Sequence, residues 1–168
     1  TRDGHGYSPL DQVTRDNVAD LKLAWSISIR PGTHQTTPLV HDGVMFLANP
    51  GNVVQAIDAA TGDVIWVYRA RLPEDARAGA TRTLAFYGDK LFLATADAAV
   101  VALDARTGAE VWRTVKTDYT QGFRQNAGPV IANGVVITGT NGCDRYTEQT
   151  CFITGHDPDT GEELWRTS

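Results

Sequence analysis

The chain has 168 residues, 42% of them hydrophobic, and a net charge of −5. A chain of that length buries roughly 70% of its unfolded surface. The charge balance hides no basic cluster, which argues against a nucleic-acid partner, and no apolar run approaches the ~18 residues of a membrane-crossing helix.

Residues 1–20 show no period and read as an irregular N-terminal arm with Gly4, Gly6 and Pro9, where Asp16–Asp20 can form a short helical turn. The chain opens at Thr1 without a signal-peptide pattern, which fits a mature or trimmed form. Leu21, Leu23, Trp25, Ile27 and Ile29 then alternate, which predicts a strand over 21–29. After a loop at Pro31–Thr37, Pro38–His41, Asp42-Gly43 and Val44–Ala48 read as a hairpin, because Asp-Gly favours a tight primed turn. A strand-turn-strand motif follows, Ala56-Ile57-Asp58-Ala59-Ala60-Thr61-Gly62-Asp63-Val64-Ile65-Trp66.

The same order returns twice. Thr83–Tyr87, Gly88-Asp89 and Lys90–Thr95 lead into a second copy ending at Trp112. Pro129–Ala132, Asn133-Gly134 and Val135–Thr138 lead into a third, ending at Trp165. Each copy has Asp, two residues, Thr-Gly, three residues and Trp. The Asp can accept backbone N–H bonds across the turn, and the Gly supplies the positive φ. A Trp at an equivalent place in every copy reads as packing, its N–H needing an acceptor.

Four short strands repeating every ~40–50 residues are the signature of a β-propeller. The expected class is all-β, with blade 1 at 36–70, blade 2 at 81–117 and blade 3 at 127–168. Leu72–Ala80 and Asp118–Ala127 are expected as loops between them. A ring needs about four to eight blades, so the chain is expected to be part of a larger one. The strand at 21–29 resembles a Trp-bearing strand without predecessors, so it is expected to close the last blade, the others coming from the same or another chain.

Blade 3 carries an insertion, Thr140–Thr150, with Cys143 and Cys151 at its two ends. A zinc cage needs four ligands, and only His156 is near. A local disulfide is expected, because the insertion joins strands that must pair, and it points to an oxidising compartment. His156 stands where the other copies have Ile57 and Leu103, which predicts a core histidine. His5, His34 and His41 carry no partner signal.

The motif Ala-x-Asp-x-x-Thr-Gly-x-x-x-Trp resembles the tryptophan-docking repeat of the quinoprotein alcohol dehydrogenases. Tyr7-Ser8-Pro9-Leu10-Asp11-Gln12-Val13, Asn17-Val18 and Ala24-Trp25 are similar to that family's opening segment, and Gln35–Phe46 to its first blade. The resemblance implies a periplasmic or secreted location and an eight-bladed ring of which this is the N-terminal portion. It also implies pyrroloquinoline quinone with a calcium or lanthanide ion on the ring axis, an alcohol or polyol as substrate, and a cytochrome c as electron acceptor. The implied cofactor contacts are Gln35 (where the family has Glu), Arg82, Asn126 (where it has Thr) and Asn141-Gly142-Cys143. Asp144 replaces a metal-binding Glu and is still a hard oxygen donor. Ala76 and Arg77 stand where many members have adjacent cysteines that cover the quinone. The family's catalytic base lies in later blades, so no catalytic residue is expected here.

Each of these residues also has a plainer reading. Arg82 can be a loop ion-pair partner, Asp144 a turn cap and Gln35 a solvated loop residue. The competing function is a cofactor-free propeller scaffold of the outer-membrane assembly lipoprotein type, which shares the Trp repeat.

Overall fold

The structure is a computed structural model that describes residues 10–76, 78–143 and 150–168. Residues 1–9 of the arm, Arg77 and Asp144 lie outside the described residues. Among the described residues twelve strands form three antiparallel four-stranded sheets, each a simple meander. The first sheet holds β1 (Leu39–His41), β2 (Val44–Asn49), β3 (Val53–Asp58) and β4 (Val64–Arg69). The second holds β5 (Ala85–Tyr87), β6 (Lys90–Ala94), β7 (Ala99–Asp104) and β8 (Glu110–Val115). The third holds β9 (Val130–Ala132), β10 (Val135–Gly139), β11 (Ile153–His156) and β12 (Glu163–Thr167).

Turn chemistry explains the hairpins. Asp42 and Gly43 have φ of 47° and 76°, and Asn133 and Gly134 have 49° and 73°, the pattern of a type I′ turn. In the middle hairpin only Gly88 is positive, which fits a glycine-first turn. The first strands of sheets one and three begin just after Pro38 and Pro129, which lack the N–H a ladder needs.

The motif turns are built alike. Asp58 accepts the N–H groups of Ala60 (2.8 Å) and Thr61 (2.9 Å), and Asp157 those of Asp159 and Thr160 (both 2.9 Å). Asp104 accepts from the Thr107 N–H at 2.7 Å. The bonds at Asp58 and Asp157 come mainly from the backbone, and at Asp104 the Thr107 hydroxyl adds the largest share; all three carboxyls are held below their ordinary range.

Each turn is also the dock for the preceding Trp. Trp66 donates its indole N–H to Ala105 O and Trp112 donates to Pro158 O, both at 3.0 Å. Gly108 and Gly161 lie flat under those rings: a Cβ on either would come within 2.5 Å of ring carbons. Trp165, whose docking turn would belong to a next repeat, is 39% exposed.

Two apolar seams join the sheets. Alternate residues of the middle sheet face opposite ways, as the period of two demands. Leu91, Leu93, Val101 and Leu103 pack with Phe46, Val54 and Ala56 of sheet one. Phe92, Val100 and Ala102 pack with Val136 of sheet three. His156 is a core histidine, its Nδ1 3.2 Å from Gly161 O and its Nε2 2.9 Å from the Thr154 hydroxyl. A carbonyl can only accept, so Nδ1 carries the proton, and burial holds the ring neutral.

Residues 21–29 pair with no strand among the described residues, and the blade that they are expected to close is not one of the three sheets here. The alternation is real, but a ladder needs neighbours that this stretch does not find here. Trp25 nevertheless docks like the others, with its N–H on Ala59 O at 3.0 Å and its ring on Gly62. The loop at 118–127 is more ordered than expected. It contains a 3-10 turn, Tyr119–Gln121, capped by Asp118 accepting from Thr120 N–H at 2.9 Å, and a bridge pairing Arg124 with Asn141.

Candidate functional site

The chain enters each first strand from the same rim of the sheet stack, and the β1–β2 and β3–β4 turns lie at the other. Ala59 N–H on Gly43 O and Ala105 N–H on Asp89 O tie those turns together at 2.8 and 2.9 Å. Gln35, Arg82 and Asn126, each just ahead of a first strand, therefore share the entry rim. The end of β10, which leads to Asn141, returns there as well.

Gln35 and Arg82 meet directly, with Arg82 Nε donating to Gln35 Oε1 at 3.0 Å. The Thr37 N–H bonds Arg82 O at 3.3 Å, which aligns the two loops. Below them the Thr36 hydroxyl lies 2.9 Å from Ala48 O and 2.5 Å from Thr81 O. Its single proton serves one carbonyl at a time. Among the described residues Arg82 makes no ion pair with a carboxylate, so its remaining N–H groups stay available to an anionic ligand.

Asn126 reaches the same rim through Gly128. A Cβ on Gly128 would meet Thr83 Oγ1 and O at 2.0 and 2.1 Å, so only glycine lets the third first strand lie against the residue after Arg82. Asn126 Oδ1 is 4.0 Å from where a Cβ on Gly79 would be, in the loop leading to Arg82. Asn141 and Arg124 exchange backbone hydrogen bonds of 2.7 and 2.8 Å. Gly142 has φ 83° and packs on Gly122 O and the Arg124 stem. Cys143 is bonded to Cys151, with Cα atoms 5.4 Å apart, and the pair packs with Phe123 and Phe152. The disulfide expected from the insertion is present.

Sequence reasoning missed the amides that stitch the sheets together beneath this rim. Asn52 donates to Thr81 Oγ1 (3.2 Å) and Ala94 O (3.4 Å) and accepts the Ala96 N–H (2.9 Å). Gln125 does the same one seam on, donating to Thr95 O and Ala99 O at 3.1 and 2.9 Å. Asn52 has φ 53°, and Ala98 occupies the equivalent turn at 59°. An Asn in a turn is ordinarily explained by that conformation, so nothing in the sequence signalled its reach across the seam.

The donor set suits an acidic organic cofactor: one cation free of acid partners among the described residues, with neutral amides on the same rim. It supplies no metal cage, because no three His, Cys, Asp or Glu residues cluster among the described residues.

Comparison with known proteins agrees with the fold and the repeat. The family described as PQQ, glucose/ethanol/alcohol dehydrogenase, beta-propeller domain, matches residues 1–167. The quinoprotein alcohol dehydrogenase PedH of Pseudomonas putida is 39% identical over 168 residues, covering 96% of this chain and 28% of that protein. A europium-containing methanol dehydrogenase superposes with a TM-score of 0.86 at 29% identity, over 96% of this chain and 29% of the other. BamB from Moraxella catarrhalis, with a TM-score of 0.59 and 22% identity over 79% of this chain and 37% of the other, shares the fold alone. The chain thus spans under a third of the quinoproteins that it matches. With its docked tryptophans, its three four-stranded sheets and a match along nearly its whole length, the chain belongs to the glucose/ethanol/alcohol dehydrogenase β-propeller family of quinoproteins.

Proposed function

We propose that the chain is the N-terminal portion of a periplasmic dehydrogenase that oxidises an alcohol or polyol, using pyrroloquinoline quinone and a calcium or lanthanide ion and passing electrons to a c-type cytochrome. The carrying observation is Arg82, oriented at the entry rim by a neutral Gln35 oxygen and free of ion pairs among the described residues. The bound quinone supplies the two-electron chemistry that turns a carbinol into a carbonyl, with the cation as Lewis acid.

The chain's own residues bind and orient. Arg82 offers a planar fork that pairs with a carboxylate through two bonds. Gln35 fixes the fork and, lacking charge, does not compete for it. Asn126 and Asn141 add neutral donors and acceptors. Asp144, adjoining the Cys143–Cys151 bond, offers a hard oxygen to the cation. The family's catalytic base belongs to later blades.

The test uses the full-length protein reconstituted with quinone and calcium or lanthanide. Arg82→Ala is expected to weaken quinone binding by about 1.5–3 kcal/mol, the worth of a charged hydrogen bond. Asp144→Ala is expected to lower metal affinity and turnover together. If the unaltered protein binds no quinone and reduces no artificial acceptor with any alcohol or polyol, the cofactor-free scaffold replaces this reading.

A further inference from the structure

On the rim opposite Arg82, a cavity of about 430 Å³ opens between the first two sheets. Phe46, Trp66, Phe86 and Val44 line it, together with Ile65 and Arg106, which are exposed. We propose that it binds a small amphipathic anion, an aryl carboxylate, independently of the quinone reading above.

The cavity has the size and lining of a small-molecule site. Small-molecule sites measure roughly 300–1,000 Å³ and combine apolar walls with a few polar groups. Three aromatic side chains provide the walls here, and the ring of Phe46 lies 6.1 Å from that of Phe86 and 6.0 Å from that of Trp66. The three rings touch through Phe46 and make one continuous aromatic wall, on which a flat apolar body can lie.

Arg106 is exposed on the β7–β8 turn and makes no ion pair among the described residues. Asp104, on the same turn, is engaged by the Thr107 N–H and hydroxyl at 2.7 and 2.6 Å. Asp42 also lines the cavity, but its carboxylate lies 3.3 Å from His41 Nε2 and is largely hydrated. The Arg106 charge acts on Asp104 without pairing with it among the described residues, and its guanidinium is the exposed arginine of the lining, open to a ligand carboxylate.

The next seam fills the equivalent space with an ion pair. The strand registers equate Val44 with Lys90, and the motif turns equate Arg106 with Asp159. There Lys90 crosses the seam and bonds Asp159 at 3.0 Å. In the first seam Val44 is too short to cross, and an arginine replaces the acid that would have received it. The repeat's own bridge is absent here, and what remains is an apolar slot with a cation in its lining.

Calorimetric titration of the full-length protein with 2-naphthoate, and with neutral 2-naphthol as its twin, tests the proposal. Saturable one-to-one binding of naphthoate is expected. Arg106→Gln should weaken naphthoate at least tenfold and naphthol less than twofold. The double variant V44K/R106D, which rebuilds the Lys90–Asp159 bridge, should abolish binding of both with an unaltered circular dichroism spectrum. No saturable naphthoate binding, or binding that survives in folded V44K/R106D, overturns the proposal. Should the double variant fail to fold, Arg106→Gln decides, and unchanged naphthoate affinity overturns it.

Discussion

The two seams share one frame and fill it differently. In both, a Trp of one sheet donates to a carbonyl of the next sheet's turn at 3.0 Å, over a glycine. In both, an amide side chain, Asn52 or Gln125, bonds backbone atoms at the entry rim. The second seam adds Lys90 to Asp159, Thr114 Oγ1 to Gly161 O at 2.8 Å, and Arg166 to Lys116 O at 3.0 Å. The first has Tyr68 donating to Glu110 at 2.7 Å and keeps an open cavity. The repeat thus sets where sheets meet, while single side chains decide how tightly each meeting is filled.

The largest expected effect comes from equivalent phenylalanines. Phe92 is fully buried in the second seam, whereas Phe46 borders the cavity of the first. Phe92→Ala should cost about 3–5 kcal/mol, and Phe46→Ala should fall at or below the low end of that range, because part of its ring already lacks neighbours. Denaturant unfolding of the full-length protein checks both; equal losses would remove the distinction between the seams.

A smaller effect separates glycines needed for docking from glycines needed only for turning. Gly108 has φ 73° and supports Trp66, while Gly43 has φ 76° and open space where a Cβ would stand. Gly108→Ala should cost about 2–4 kcal/mol, adding overpacking to backbone strain. Gly43→Ala should cost about 1 kcal/mol, the strain alone.

The smallest effect is pH-dependent. Burial, and then the nearby Arg166 charge, push the Lys116 ammonium from its ordinary 10.5 down to about 7. Between those values the unfolded chain holds a proton that the folded chain releases. Stability should therefore rise with pH from about 7 to 10, and the full penalty applies below 7. Lys116→Met should flatten that rise and add on the order of 1–2 kcal/mol at pH 6. Thermal melts across this pH range read the outcome, and an unchanged slope would assign the titration elsewhere.

By itself the sequence determined the local units. Asp-Gly and Asn-Gly mark hairpins because few residues tolerate two successive positive φ values. The Asp-x-x-Thr-Gly-x-x-x-Trp spacing locates each dock because the bonds it makes lie within a few residues. His156 was legible as core because its equivalents are Ile57 and Leu103, and the spacing of Cys143 and Cys151 marked a closed insertion. Of the candidate site, the positions of Gln35, Arg82, Asn126 and Asn141 ahead of or after known strands were legible. The contact between Gln35 and Arg82, and the close approach of Gly128 to Thr83, were not. Those depend on how one sheet lies against the next, which no local period encodes. The alternation of 21–29 names no partner either, since a ladder exists only where a partner stands. Tertiary structure alone decided that Asn52 and Gln125 reach across seams and that Val44 leaves a cavity where Lys90 makes a bridge. A side chain's reach is written in the sequence, but what lies within reach is settled only when the sheets stack.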